Sequence, residues 1–192
     1  MYPILGGVVK NPSARLLVLC GAVALVLAAL TPPHPHAAST RAQRTIAQID
    51  SFRTTTWRLQ RLMGTKRTPT FFAERRTTND AYRSWIRNLW KQRAARALSQ
   101  AQKPPHRSQW QCIHRYERHP AQGWRTRTGN GYYGGLQMDI DFQRTYGPEL
   151  LRRKGTADRW APYEQMWVAE RAHRTGRGFH PWPNTARYCG LI

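Results

Sequence analysis

The amino-acid sequence predicts an α+β fold that is mainly helical and carries one short β element. The chain has 192 residues, is 40% hydrophobic and contains 8 Trp and 8 Tyr, which is enough apolar and aromatic side chain to build a core. Apolar residues recur at helical spacing in several segments, and the turn signal Gly129-Asn130-Gly131 precedes a strand-like stretch at residues 132–138. We expect a small domain at residues 108–192, preceded by a basic helical segment and linker at residues 40–107.

The first 38 residues have the layout of an export signal. Residues 16–30 are an unbroken run of apolar side chains and glycine, with Lys10 and Arg15 before the run and no acidic residue. This arrangement is typical of a secretory signal peptide, and the run is shorter than the roughly 20 residues that a spanning helix needs. We expect residues 1–38 to be a signal peptide or an N-terminal anchor, and the protein to be secreted or held at the cell envelope.

The charge of the chain predicts an acidic partner. Lys and Arg number 31 against 10 Asp and Glu, a net charge of +21, and such a chain favours nucleic acid, an anionic membrane or an acidic wall polymer. Because export removes the chain from nucleic acid, we expect anionic wall polymers or a membrane surface as possible partners and no nucleic acid. The excess of positive charge is concentrated in residues 40–107, which hold 16 basic and 3 acidic residues.

The basic segment reads as two helices with a break at residues 64–69. Asn79 is a suitable N-cap for the second helix, whose apolar face is formed at helical spacing by Tyr82, Trp85, Ile86 and Leu89. Such a helix can dock on the following domain, on a membrane surface or on an acidic polymer, and we prefer docking. Pro104 and Pro105 mark a linker, because neither can continue a helix.

The three cysteines are too few for a disulfide scaffold and form no paired zinc-finger motif. Cys20 lies in the apolar run, so Cys112 and Cys189 are the pair left in an exported chain. An oxidising compartment lets them join, and the bridge would contribute on the order of 4 kcal/mol in the chain-entropy model. The alternative is two unpaired buried thiols.

The domain at residues 108–192 begins with a predicted capping box, Ser108 with Gln111, on a helix that Pro120 limits. A strand follows at residues 132–138, and a second helix runs from Pro162 to just before Gly176. The packing side of that helix is formed by Tyr163, Met166, Trp167 and Ala169.

Two carboxylates fall on apolar helix faces. Glu170 has Arg174 four residues on, so we interpret it as one half of a structural ion pair. Glu117 has no partner at that spacing and shares its face with Trp110 and Ile113. Desolvation and the helix dipole both favour its protonated form, which is the form that donates a proton to a glycosidic oxygen. Pairing of Glu117 with an arginine from elsewhere in the fold is the structural alternative.

A set of motifs carries a family resemblance. Trp110-Gln-Cys112, then Glu117, then Trp124, then Thr-Gly-Asn-Gly-Tyr-Tyr-Gly-Gly-Leu-Gln at residues 128–137 resembles the catalytic domain of resuscitation-promoting factors, a transglycosylase-like family with a lysozyme-like fold. The likeness continues through Glu164-Gln165 and Ala169-Glu170 to Trp182-Pro183 and Cys189. It departs after the acid, where Arg118-His119-Pro120 replaces Ser-Gly-Gly, and at Phe142, which stands where the family has a threonine of the cleft.

The resemblance implies an exported enzyme that cleaves the β-1,4 bond between N-acetylmuramic acid and N-acetylglucosamine in peptidoglycan glycan strands. By position, Glu117 matches the catalytic acid, and Cys112 and Cys189 match the disulfide. The substrate-binding residues that we predict, from this match and from closeness to the cleft, are Trp124, Tyr132, Tyr133, Gly134, Gly135, Gln137 and Asp139.

The sequence leaves two reactions and one non-enzymatic function as alternatives. A two-carboxylate hydrolase needs a second acid, for which Asp139 and Asp141 are the candidates, although both also read as solvent-facing residues. Otherwise Glu117 acts alone, as in lytic transglycosylases, which is our first choice on family grounds. The alternative to an enzyme is a cell-wall or membrane-surface binding protein that uses the basic segment. We expect no metal and no cofactor, because no histidine spacing demands a metal and no Gly-Lys-Ser/Thr follows the glycines, and we expect a monomer.

Overall fold

A computed structural model describes residues 35–192, with side chains from residue 40 onward. The predicted signal segment and Cys20 lie outside the described residues. Residues Pro35–Ile192 form a single compact unit. Within this part of the chain, no helix is long and apolar enough to cross a membrane.

The predicted predominance of helix is confirmed. Two long helices, α1 (Pro35–Met63) and α3 (Asp80–Ala101), flank a short α2 (Phe72–Arg76). The later part of the chain forms α4 (Arg107–Glu117), α5 (Ile140–Tyr146), α6 (Pro148–Lys154), α7 (Pro162–Ala172) and α8 (Pro183–Tyr188). Two 3₁₀ turns, Gly123–Arg125 and Ala157–Arg159, and a π-type turn, His173–Arg177, lie between them.

The predicted strand at residues 132–138 does not form. Residues 134–137 are a tight turn, and only two isolated antiparallel bridges flank it, Arg127 with Tyr133 and Tyr133 with Met138. Tyr133 and Met138 exchange backbone hydrogen bonds of 3.0 and 2.9 Å. Gly134, with φ of +77°, reverses the chain too soon for a ladder to extend, so the described residues contain no strand.

The basic segment folds into the predicted pair of helices with a different packing face. The Asn79 side chain caps α3 by accepting from the Tyr82 amide at 2.9 Å. Tyr82 and Trp85 are exposed, however. The side chains of α3 that are buried are Ile86, Trp90, Ala94, Ala97 and Ala101. The spacing in the sequence is compatible with burial of either face of α3. The face with Ile86 and Trp90 is buried because Ile49, Phe52 and Trp57 of α1 pack against it.

The helical pair also packs against the C-terminal region. Leu59, Leu62 and Met63 of α1 belong to the same buried core as Trp110 and many residues of α7. The Trp167 indole of α7 donates to the Ala101 carbonyl at 2.7 Å. The Arg171 guanidinium donates to the last carbonyls of α1, those of Arg61 and Leu62, at 3.2 and 3.1 Å. These contacts satisfy carbonyls that a helix end leaves without partners.

The start of α4 differs from the predicted capping box. The N-cap residue is His106, which provides no side-chain cap, and the Ser108 hydroxyl donates instead to Gln109. The helix ends at Glu117, before Pro120, as expected. Cys112 of α4 and Cys189, just after α8, are joined by a disulfide with Cα atoms 6.0 Å apart.

Candidate active site

Glu117 is the last residue of α4 and is half-buried. The chain leaves the helix at this point because Arg118 adopts an extended backbone and Pro120 follows. Burial raises the pKa of the Glu117 carboxyl, and a hydrogen bond from Thr185 opposes that rise. No described Lys or Arg forms an ion pair with Glu117, so the structural alternative, pairing with an arginine from elsewhere in the fold, is absent from this part of the chain.

Thr185, in the first turn of α8, is the side chain that contacts Glu117. Its hydroxyl donates to Glu117 Oε1 at 2.8 Å and lies 3.3 Å from the Trp182 carbonyl oxygen. The hydroxyl carries a single hydrogen and two lone pairs. It can therefore donate to the ionised carboxylate, or turn toward Trp182 and accept from the protonated carboxyl.

His114 lies three residues before Glu117 on the same helix face. Its ring stacks on Trp124, with centroids 3.8 Å apart, and its Nδ1 lies 3.0 Å from the Gly135 carbonyl oxygen. Burial lowers the pKa of His114, and the charge of Arg118 adds to that effect while the Gly135 contact opposes it. A neutral His114 places no positive charge beside Glu117, so it does not oppose the rise in the pKa of Glu117 that burial causes.

Gly134 and Gly135 are placed where a side chain does not fit. A Cβ on Gly134 would lie 2.5 Å from Gln165 Oε1, and one on Gly135 would lie 2.4 Å from His114 Nδ1. The Gly135 amide donates to Gln165 Oε1 at 2.8 Å, while Gln165 Nε2 donates to the Trp124 carbonyl at 2.8 Å. The fully buried Gln165 thus ties the glycine turn to Trp124, so both glycines shape the site through their backbone.

An open cleft of about 260 Å³ lies beside the glycine turn. Three of the predicted substrate-binding residues line it, namely Tyr132, Gln137 and Asp139. The other lining residues are Met138, Asp141, Phe142, Thr145, Tyr146, Arg177, Pro181 and Trp182. Glu117 does not line this cleft. The Thr185 hydroxyl, which donates to Glu117, lies 3.3 Å from the carbonyl oxygen of Trp182, and Trp182 lines the cleft.

Gln137, whose side chain lines the cleft, has an unusual backbone conformation. Its φ is +47°, and among the described residues it alone has a positive φ without being glycine. Its side-chain amide donates to the Gly134 carbonyl at 2.8 Å. Strained conformations of this kind cluster at functional sites, which supports the predicted role of Gln137.

The remaining predicted binding residues lie elsewhere. Trp124 lines a second cavity of about 570 Å³ together with Gln102, Lys103, Arg107, Gln111, Pro162, Tyr163 and Met166. Tyr133 is half-buried against the core, while Gly134 and Gly135 are buried. Trp182 is 5% exposed, and its indole donates to the Leu136 carbonyl at 2.6 Å, so it is a core residue with one side on the cleft.

The two candidates for a second carboxylate already have partners. Asp139 is the N-cap of α5 and accepts from the Phe142 amide at 2.7 Å. Asp141 pairs with Arg144 at 2.9 Å, and its side chain is 83% exposed. Both line the cleft, but neither forms a hydrogen bond with Glu117.

Glu170 is structural as expected, but its predicted partner is wrong. The carboxylate is 1% exposed and accepts from the His106 amide and the Trp110 indole, each at 2.8 Å. Arg174 instead lies over the Trp167 ring and near the Met63 carbonyl. Glu170 lies on α7, most of which is buried, whereas Arg174 lies beyond the end of α7, in the π-type turn, and is exposed.

Sequence reasoning missed Thr185 and Gln165. Thr185 is 68 residues from Glu117, so no local pattern links them. The one available signal was the cysteine pair, since a bridge from Cys112 to Cys189 brings the end of the chain beside α4. Gln165 belongs to the Glu164-Gln165 pair of the family likeness, but no role was predicted for it, because glutamine at a buried helix position has no sequence signature of its own.

A half-buried carboxyl with a raised pKa, near an open cleft in a helical domain, is typical of enzymes that cleave glycosidic bonds. Residues 104–185 match the family model described as Transglycosylase-like domain, and the chain therefore contains a domain of this family, as the motifs predicted. The match indicates a peptidoglycan-acting enzyme of the lytic transglycosylase class. No curated protein and no solved structure matches the chain significantly.

Proposed function

We propose that this protein is an exported enzyme that cleaves the β-1,4 bond between N-acetylmuramic acid and N-acetylglucosamine, with Glu117 as its single general acid and base. The observation that carries the proposal is the half-buried Glu117 carboxyl, whose pKa is raised by burial and whose one hydrogen-bond partner among the described residues is Thr185. The family match supports the substrate. Export is supported by the basic and apolar pattern of residues 10–30.

The reaction needs one group that first gives and then takes a proton. Protonated Glu117 donates its proton to the glycosidic oxygen as the bond to C1 of the muramyl sugar breaks, and the leaving sugar departs as an alcohol. The Glu117 carboxylate then removes the proton from the muramyl C6 hydroxyl, whose oxygen bonds to C1. A 1,6-anhydro ring forms, Glu117 is protonated again, and no water is consumed.

The contacts of Asp139 and Asp141 favour this transglycosylase route over hydrolysis. Asp139 is held by the α5 amide that it caps, and Asp141 by Arg144 in an exposed pair. A second catalytic carboxylate must reach the face of the sugar opposite the acid. Because Asp139 caps α5 and Asp141 is paired with Arg144, a mechanism that uses Glu117 alone fits the arrangement best.

The test is to incubate the protein with purified peptidoglycan and weigh the soluble products. Products with 1,6-anhydromuramyl ends would support a transglycosylase, whereas reducing ends would indicate hydrolysis. Glu117→Gln should lower the rate by at least about 100-fold, because general acid catalysis contributes about 10² to 10⁴. Glu149→Gln, the same change on the surface of α6, is the matched control. Intact glycan at every pH from acidic to neutral would refute both reactions.

A surface feature favours a second function, that of a binding protein for anionic envelope surfaces. Phe71, Phe72 and Trp85 are 62%, 70% and 54% exposed. Arginines of α2 and α3 are their neighbours in the sequence, and the Arg76 guanidinium lies over the Phe72 ring. Exposed aromatic side chains in a basic segment suit an anionic lipid or wall-polymer surface. A pure binder would be unaffected by Glu117→Gln, so the same variant separates the two functions.

A further inference from the structure

Three side chains with metal-binding atoms meet at the junction of the basic segment and the later helices. They are His106, in the connection between α3 and α4, Glu170 of α7, and His173, directly after α7. Their ligand atoms all lie within 4.8 Å of one another. The two imidazole rings are 4.3 Å apart, and the Phe179 ring packs against both. Neither histidine was expected to have a ligand role from its spacing in the sequence.

Glu170 is the unusual member of this cluster. Its carboxylate is 1% exposed, and no Lys or Arg among the described residues forms an ion pair with it, although the chain has 31 of them. A buried carboxylate is costly unless a cation or several hydrogen bonds compensate its charge. The nearest basic group is the His106 ring, whose Nδ1 lies 3.1 Å from Oε1 and 3.2 Å from Oε2.

The hydrogen bonds of Glu170 leave one oxygen facing the imidazole. The His106 amide and the Trp110 indole both donate to Oε1, whereas Oε2 has His106 Nδ1 as its one hydrogen-bond partner among the described residues. At metal sites, second-shell donors of this kind fix the orientation of a ligating carboxylate. Trp110 and the backbone of His106 thus hold Oε1 and leave Oε2 beside the His106 ring.

From this arrangement we infer that His106, Glu170 and His173 form a binding site for a zinc ion, with water in the fourth coordination position. Two histidines and one glutamate are a ligand set that Zn²⁺ accepts. Ligand atoms in a tetrahedral zinc site lie about 3.3 to 3.6 Å apart, for bonds of about 2.0 to 2.2 Å. The separation of His106 Nδ1 from Oε2, 3.2 Å, is already close to this spacing, and the ligand atom of His173 lies within 4.8 Å of the other two.

A zinc ion at this point fastens two parts of the chain together. His106 belongs to the connection that leads from the helical pair into α4, the helix that carries Glu117. Glu170 and His173 belong to the end of α7. The ion neutralises the buried carboxylate and fixes that connection to α7, so it stabilises the protein without taking part in glycan cleavage. The inference is independent of the proposed enzymatic function.

The test uses the full-length protein freed of metal with a chelator and titrated with zinc chloride alone. We expect binding of one zinc ion per chain by calorimetry, together with a rise in Tm, because a ligand of the folded state stabilises it. Cobalt as a substitute should give the visible absorption of a four-coordinate site. His173→Ala should weaken zinc binding by at least about tenfold, because a three-ligand site loses one of its donors. The exposed His180→Ala is the matched control and should bind like the wild type.

Two further variants keep the test decisive if His173→Ala does not fold. Glu170→Gln retains an acceptor for Trp110 and the His106 amide but removes the charge, and His173→Asn keeps a polar side chain of smaller size. Each should lose zinc affinity while far-UV circular dichroism stays that of the wild type. Absence of one-to-one binding, or equal affinity in the His173, Glu170 and His180 variants, would overturn the inference.

Discussion

At the scale of single residues, the pKa of Glu117 is set by two opposing effects. Burial at the end of α4 raises the pKa of its carboxyl, while the Thr185 hydroxyl, 2.8 Å from Oε1, stabilises the ionised form. The nearby His114 has a lowered pKa because it is buried, so it is neutral at neutral pH. Burial therefore shifts Glu117 toward its protonated form, and the Thr185 hydroxyl reduces the size of that pKa shift.

Replacing Thr185 should change the pH dependence of the reaction. Thr185→Val removes the hydrogen bond that lowers the pKa of Glu117, so that pKa should rise further. Since the acid works only when protonated, activity is lost as pH rises through this pKa, and the alkaline limb of kcat/KM should move to higher pH in the variant. The measurement is the pH profile of glycan cleavage.

Thr45→Val, on the surface of α1, controls for the loss of a threonine hydroxyl and should leave the profile in place. If Thr185 were only a packing residue, its replacement would lower the rate at every pH without moving the alkaline limb. Such a result would contradict the inference that the Thr185 hydroxyl lowers the pKa of Glu117.

At the scale of elements, the disulfide holds together the two helices that form the acid site. Cys112 lies one turn and a half before Glu117 on α4, and Cys189 follows α8, which carries Thr185. The bridge spans a sequence separation of 77 residues. Without it, the last helix is held only by noncovalent packing, such as that of Trp182 against Trp110.

Removing the bridge should destabilise the protein and loosen the site. The double variant Cys112→Ala with Cys189→Ala should lose on the order of 4 kcal/mol of unfolding free energy in the chain-entropy model, measured by denaturant unfolding. Dithiothreitol should lower the stability of the wild type and leave the double variant unchanged. Equal stability of the two proteins under oxidising conditions would show that the disulfide does not constrain the unfolded chain.

Helix α3 and residues 132–138 also show how far local patterns determine structure. Asn79 was recognised as an N-cap because its side chain acts on an amide three residues away. The expected face of α3 was wrong at Tyr82 and Trp85, because which stripe is buried depends on α1, more than 20 residues earlier. Likewise, residues 132–138 had strand-like composition, but a ladder needs a partner strand that the fold does not supply.

At the scale of the whole molecule, the basic helices and the domain with Glu117 share one core. Leu59 and Leu62 of α1 are 2% and 6% exposed within it. Trp167 of α7 donates to the last turn of α3, and Arg171 caps the end of α1. The boundary predicted between residues 107 and 108 therefore falls inside Pro35–Ile192, which is one compact unit.

Cutting at that boundary should weaken the remaining part. Residues 108–192 alone should unfold at a lower denaturant concentration than residues 35–192, with a loss of at least about 3 kcal/mol, because removal of buried leucines leaves apolar surface uncovered. Denaturant unfolding followed by tryptophan fluorescence measures the difference. Equal midpoints would establish residues 108–192 as an independent domain, as the composition first suggested.

The sequence by itself determined the helical class, the two long helices, the cap at Asn79 and the family of residues 104–185, because these depend on local periodicity or on a specific string of residues. It also singled out Glu117, since an acid on an apolar face is visible in the spacing. Only the tertiary structure decided which groups surround that acid. Thr185, Gln165 and the true partners of Glu170 come from distant positions, and close packing brings them together through contacts that no local pattern encodes.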